Sequence, residues 1–140
     1  MELTDLHVKL ITPEKVIFDG TVIHITVPTT TGVITVLPAH TPLVSSISAG
    51  ELVLKTKDEE IHFAVFAGVI DIRPGSVVNV LVDRSERAQD IDVARAEEAV
   101  ARAKKVLEEK VHESDVDFAR FEALIEKELN RVKVGSKWRQ

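Results

Sequence analysis

Two hydrophobic periods divide the chain. Over roughly its first 83 residues, apolar positions recur every second residue. Leu6, Val8 and Leu10 alternate with His7 and Lys9, and Ile23, Ile25 and Val27 alternate with His24 and Thr26. Ile61, Phe63, Val65 and Ala67 share one face, and Val78, Val80 and Val82 share another opposite Asn79. Turn formers at Pro13, Gly20, Gly32, Gly50, Lys57-Asp58 and Pro74-Gly75 bound these runs. The spacing predicts eight to ten short strands with no helical crossover between them, so an antiparallel sandwich or barrel is expected.

Further along, the period changes to that of a helix. Val93, Ala96, Val100, Ala103 and Leu107 recur at steps of three and four, as do Phe118, Phe121, Ile125, Leu129 and Val132. Asp92 is placed to cap the first helix, and Ser114, Asp115 or Asp117 the second. A short polar link across residues 112–117 predicts an antiparallel hairpin. Its first helix offers mostly Ala and Val, so little apolar volume is available and easy local opening is expected. The fold class is thus β then α: a β-sandwich over 1–86 and a two-helix hairpin over 87–140, with the change of character near residues 83–89.

Composition sharpens this division. All five prolines and five of the six glycines lie within residues 1–75. Apolar residues make up 44% of the chain and charged residues 29%, enough for a folded, solvated domain. The 18 basic side chains are outnumbered by 23 acidic ones, and the net charge of −5 argues against unaided binding of nucleic acid. The absence of cysteine excludes disulfides, thiolate nucleophiles and cysteine metal sites. Residues 1–15 are polar and strand-like, so no secretory leader is expected. The longest mostly apolar run, residues 63–70, falls far short of the ~20 residues of a membrane helix. Membrane association is therefore expected only through partners.

Candidate chemistry is sparse. There is no phosphate-binding Walker loop, no G-x-S-x-G, no H-E-x-x-H and no H-x-H. Neither a catalytic residue nor a metal site is expected. His7, His24 and His62 read as solvent-facing strand positions, while His40 sits in a loop stiffened by Pro38 and Pro42. One cluster carries chemical content: Arg95 and Arg102 lie seven residues apart, on one helix face and about 10 Å apart. Guanidinium forks at that span suit a polyphosphate. The simpler reading is an exposed helix face, with Glu98 four residues before Arg102 as its ion-pair partner. Lys127 and Arg131 repeat a basic pair on the second helix, and Lys133 and Lys137 follow.

Taken in order, these residues resemble the epsilon subunit family of F-type ATP synthases. The likeness runs through Leu6-His-Val-Lys-Leu-Ile-Thr-Pro-Glu14, Phe18-Asp-Gly20 and Leu37-Pro-Ala-His-Thr-Pro-Leu43. It continues in Gly50-Glu-Leu, Phe63-Ala-Val-Phe-Ala-Gly68 and Val80-Leu-Val-Asp-Arg-Ser-Glu-Arg-Ala88, and ends in Ile91-Asp-Val-Ala-Arg-Ala96 and Asp115-Val-Asp-Phe118. The resemblance implies a ten-stranded sandwich with a helical hairpin, in agreement with the pattern. It also implies a non-catalytic rotor subunit that grips the gamma subunit, rests on the c-ring and couples proton flow to ATP synthesis.

Further expectations follow from the family. The hairpin would open and meet acidic loops of the catalytic beta and alpha subunits, inhibiting hydrolysis through Arg120, Lys127, Arg131, Lys133 and Lys137. No cofactor is required, but ATP is a candidate regulatory ligand. The I/L-D-x-x-R-A motif matches at Ile91, Asp92, Arg95 and Ala96, and Glu86 and Arg102 match other positions of that site. Lys127 and Arg131 stand where strong ATP binders carry two arginines. Alternatively, the same Asp and Arg residues simply pin the helix onto the sandwich. The tip Thr29-Thr30-Thr31-Gly32, beside His40, is expected to face the c-ring or gamma. The location implied is peripheral, on the cytoplasmic face of a bacterial membrane or the stromal face of a thylakoid. A free-standing ATP-sensing module is the alternative function, and a metal-dependent cupin-like enzyme a weaker one.

Overall fold

The computed structural model describes residues 5–109 and 115–138. The chain divides into two compact units between Arg87 and Ala88. The first holds ten strands: β1 (Leu6–Ile11), β2 (Val16–Val22), β3 (His24–Thr29), β4 (Gly32–Val36), β5 (Leu43–Ile47), β6 (Gly50–Lys55), β7 (Glu60–Val65), β8 (Gly68–Arg73), β9 (Val77–Val82) and β10 (Ser85–Arg87). Hydrogen bonding links them in the order β10-β7-β6-β3-β5-β8-β9-β1-β2, with β4 on the other edge of β3.

β3 is the corner. Its start pairs with β6, from His24 opposite Lys55 to Thr26 opposite Val53, while its end pairs with β5 at Thr29 and Ile47. Pro28 lacks an amide hydrogen, and its carbonyl accepts from the Ser48 amide at 3.0 Å. Gly50 leaves room for the proline ring: a Cβ there would come within 2.8 Å of Pro28 Cβ. Gly68 is similarly required, because a Cβ would run into the β9 backbone at Leu81 and Val82.

The alternating apolar positions form one core of eighteen buried side chains, among them Leu6, Leu10, Ile25, Leu52, Phe63, Ile70 and Val80. Each is worth about 1.5–3 kcal/mol relative to exposure, so this unit carries most of the apolar stabilisation. The antiparallel expectation holds for every strand pair except one. β1 runs parallel to β9, from His7 opposite Val77 to Ile11 opposite Leu81. A parallel pair needs a long connection, and here the rest of the sandwich supplies it.

The second unit begins with a 3-10 turn at Ala88–Asp90, followed by α1 (Val93–Glu109) and α2 (Asp115–Trp138). Of the candidate caps for the second helix, Ser114 lies outside the described residues, and Asp115 and Asp117 lie within the first turn of α2. α1 packs as its pattern predicts, with Ala96, Val100 and Ala103 buried. α2 does so only in part: Phe121, Ile125 and Val132 of its apolar stripe are half-buried, but Phe118 and Leu129 are 41% and 46% exposed, whereas Glu128, Val134 and Gly135 are buried. Gly135 explains the rotation: a Cβ there would meet Val93 Cγ2 at 2.7 Å and Ile91 Cγ2 at 3.1 Å. This close approach sets α2 against the start of α1 and turns its stripe aside.

Candidate functional site

The first unit presents an apolar outer face that the alternating pattern did not predict. Ser46 on β5, Val69 on β8, Leu81 on β9 and Ile11 on β1 lie side by side across the sheet. Val44 is 69% exposed, Leu81 49% and Val69 40%, with Leu43 and Leu37 also exposed nearby in sequence. A signal was present in the chain: Leu43-Val44 and Val80-Leu81-Val82 break the alternation, as strands covered on both faces do. A shallow, open depression of about 430 Å³ lies over the paired ends of β5 and β8, at Leu43-Val44 and Asp71-Ile72-Arg73. At its edge Arg73 Nε donates to Asp71 Oδ2 at 2.9 Å, and that carboxylate pushes the guanidinium pKa up.

The predicted tip is a tight turn. Thr29 is buried, and its hydroxyl donates to the Gly32 carbonyl and accepts from the Thr31 amide. Thr29 therefore shapes the tip, whereas Thr30, Thr31 and Gly32 are exposed. Gly32 has φ 126°, a backbone conformation that side chains disfavour. His40 does not lie beside this tip. The turn meets the Ile47 end of β5, where the Thr30 amide donates to the Ser46 carbonyl, while His40 enters β5 from the Leu43 end. The His40 loop is fixed by Ala39, whose amide donates to Ser76 Oγ at 2.9 Å with both residues at positive φ. The His40 ring is held by its Nδ1 against the Thr41 carbonyl.

His7 is exposed and meets Asp19 at 2.9 Å, but the solvent-facing reading of His62 needs correction. Its ring is 21% exposed and stands between Glu51, 3.5 Å from Nδ1, and Glu60, 3.3 Å from Nε2. The registers β6-β7-β10 put these carboxylates on a common outer face, so the ring sits in an acidic surround. Among the described residues, no three His, Asp or Glu side chains are grouped to hold a metal ion.

In the second unit the Ile91-Asp92-Val93-Ala94-Arg95-Ala96 motif forms the start of α1. Asp92 caps it: Oδ1 accepts from the Arg95 amide at 3.0 Å, and the Asp92 carbonyl accepts from the Ala96 amide. Ile91 and Ala96 are fully buried and have a packing role. Arg95 and Arg102 project from the exposed side of α1. Glu86 belongs to the first unit, paired opposite Ala64 on β7.

Gly135 against Ile91 and Val93 fixes the hairpin register. With equal rise along antiparallel helices, Arg131 falls level with Arg95-Ala96 and Lys127 level with Ala99-Val100. Arg120, Lys133 and Lys137 are exposed along α2. Lys127 and Arg131 are not, because a residue the sequence reading passed over engages both. Buried Glu128 directs Oε2 to Arg131 Nη1 at 2.8 Å and Oε1 to Lys127 Nζ at 3.8 Å.

The cap is directly testable. Asp92→Ala should lower the stability of the helical unit by about 1 kcal/mol, and Asp92→Asn, which keeps an acceptor, by much less. Circular-dichroism melts of the helical signal check this.

Comparison with known proteins agrees with this architecture. Residues 5–88 match the beta-sandwich domain of the ATP synthase delta/epsilon chain, and residues 89–135 match its long alpha-helix domain. The chain is 37% identical over 132 residues to the ATP synthase epsilon chain of Geobacter sulfurreducens, covering 94% of each chain. It is 35% identical over 132 residues to that of Halalkalibacterium halodurans, covering 94% of this chain and 98% of the relative. A similar fold occurs in the Euglena gracilis mitochondrial ATP synthase, with TM-score 0.77 and 18% identity over 88% of this chain and 76% of that one. Another occurs in the central stalk and c-ring structure of the Tetrahymena thermophila mitochondrial ATP synthase, with TM-score 0.63, 14% identity and full coverage of both chains. The chain belongs to the epsilon subunit family of F-type ATP synthases, whose members are non-catalytic parts of that complex.

Proposed function

We propose that the sandwich is the fixed, partner-gripping part of a central-stalk rotor subunit and that the helical hairpin is its regulatory arm. The observation that carries the first half is the exposed pair Val69 and Leu81, side by side on the outer face of β8 and β9, with exposed Val44 two residues along β5 from their neighbour Ser46. Contiguous apolar side chains on a folded surface mark an interaction site, and a stalk shaft is the partner this family supplies. On this reading the gamma subunit covers that face. Thr30, Thr31 and Gly32 at one end, or His40 at the other, meet the c-ring. The subunit then transmits torque between ion flow and ATP synthesis. No described helix is long and apolar enough to cross a membrane. Attachment to the cytoplasmic face of the bacterial membrane would thus come through the partners.

The half-exposed stripe of α2 supports the mobile arm. Phe118 and Leu129 keep apolar surface that a second packing of the helix would bury. In that second packing, Arg120, Lys127, Arg131, Lys133 and Lys137 would face acidic surfaces of the catalytic beta and alpha subunits and slow ATP hydrolysis. ATP would favour the closed arm. Supporting this, Arg95 and Arg102 share the exposed side of α1, and the hairpin register brings Arg131 level with Arg95.

Two measurements test these readings. Val44→Asp combined with Leu81→Asp should weaken capture by purified gamma subunit by about tenfold or more while leaving the sandwich folded, since both side chains lie outside the core. Unchanged capture would move the gamma interface elsewhere. In calorimetry of the full chain, Arg95→Ala or Arg102→Ala should weaken ATP binding about fivefold or more. A wild-type chain that gives no heat at millimolar ATP would remove the ligand switch from the account.

A further inference from the structure

Glu128 is the one charged side chain among the described residues that is buried within the helical unit. Its carboxylate is 7% exposed, and its two oxygens are divided between two cations, Oε2 on Arg131 and Oε1 on Lys127. A carboxylate, like a phosphate, is an acceptor whose oxygens pair with a guanidinium fork and an ammonium. The charges that a polyphosphate would use on α2 are therefore already occupied from within the same helix. Stability alone does not account for the arrangement. A buried ion pair is commonly no better than an apolar side chain of similar volume. The residues around it are apolar, with Ala96, Val100 and Ala103 buried on α1 and Phe121, Ile125 and Val132 half-buried on α2, so an apolar side chain at this position would continue the pattern.

We infer that Glu128 is an internal stand-in for phosphate, competing with nucleotide for Lys127 and Arg131 and so setting the affinity of the closed hairpin for ATP. The inference rests on the nucleotide reading given above and adds the residue that tunes it. An arriving triphosphate must displace the Glu128 carboxylate from Arg131 or accept a negative charge beside its own. Either way, affinity is lower than the four basic side chains alone would give. The lysine at position 127 adds to this, because an ammonium offers no fork to hold phosphate against a neighbouring carboxylate.

The test is Glu128→Gln in the full chain, titrated calorimetrically with ATP and, separately, with inorganic tripolyphosphate. Helix content is followed by circular dichroism. Removing one negative charge a few ångströms from the phosphates should tighten both ligands about five- to tenfold. The gain should vanish when Arg131→Ala is added. Tighter binding that depends on Arg131 supports the inference, as does binding by the variant when the wild type is silent. Equal or weaker binding by the variant at unchanged helix content overturns it, and so does a gain that survives Arg131→Ala. In both cases the nucleotide site itself stands. If neither wild type nor variant binds either ligand at millimolar concentration, the nucleotide reading fails and this inference with it. Should Glu128→Gln lose its helical signal, Glu128→Asp, which withdraws the carboxylate by one methylene, takes its place. Absence of tightening there is likewise fatal.

Discussion

Because α1 turns Ala96, Val100 and Ala103 toward its neighbour, the helical unit has little apolar area with which to hold itself closed. Among its described residues the buried apolar side chains are Ala88, Ile91, Ala96, Val100, Ala103 and Val134, half of them alanine. The sandwich core buries eighteen apolar side chains, none of them alanine. At ~0.8 kcal/mol per buried methylene, the difference in cohesion between the two units is large compared with a typical net stability. Close packing makes up part of the deficit through Gly135, which lets α2 approach Ile91 and Val93, while the ion cluster at Glu128 matters because removing one partner would leave a buried charge unpaired. Both devices are local. Losing one of them loosens the arm without disturbing the ten-stranded unit.

That asymmetry suits a subunit with one permanent and one conditional attachment. The sandwich is rigid where it matters: β3 turns the sheet at Pro28 and Gly50, and the His40 loop is tied to Ser76. On the proposed reading its outer apolar face is the surface for lasting contact. The arm carries polar and charged chemistry, and its affinity for any partner can be tuned by which charges are already paired. Arg131 and Lys127 in the closed hairpin are held by Glu128, whereas Arg95 and Arg102 stand exposed.

How far this could be read from the chain follows the locality of each signal. The strands of the sandwich announce themselves by two-residue alternation, and the α1 stripe by its three- and four-residue steps, because both are local. The parallel pairing of β1 with β9 joins segments some seventy residues apart and leaves no mark in either. The outer apolar row was legible as a fault in the alternation, Val80-Leu81-Val82, but only once that fault is taken as meaningful. Glu128 was hidden for a different reason. In a helix dense with Glu, Lys and Arg, a lone glutamate reads as a solvated position, and only the direction in which α2 faces reveals otherwise. That direction was set by Gly135, whose packing role outweighed the apolar stripe containing Phe118 and Leu129. A glycine inside a helix costs about 1 kcal/mol against alanine, which is a reason to look for the close approach that offsets it.

Native-state hydrogen exchange on the full chain tests the separation of the two units most directly. Amides in the middle of α1 and α2 should exchange through a local opening, at least roughly tenfold faster than those of β8 and β9, which open only with the whole sandwich. A single shared opening free energy for helices and strands would contradict the account, since the two units would then unfold as one cooperative structure.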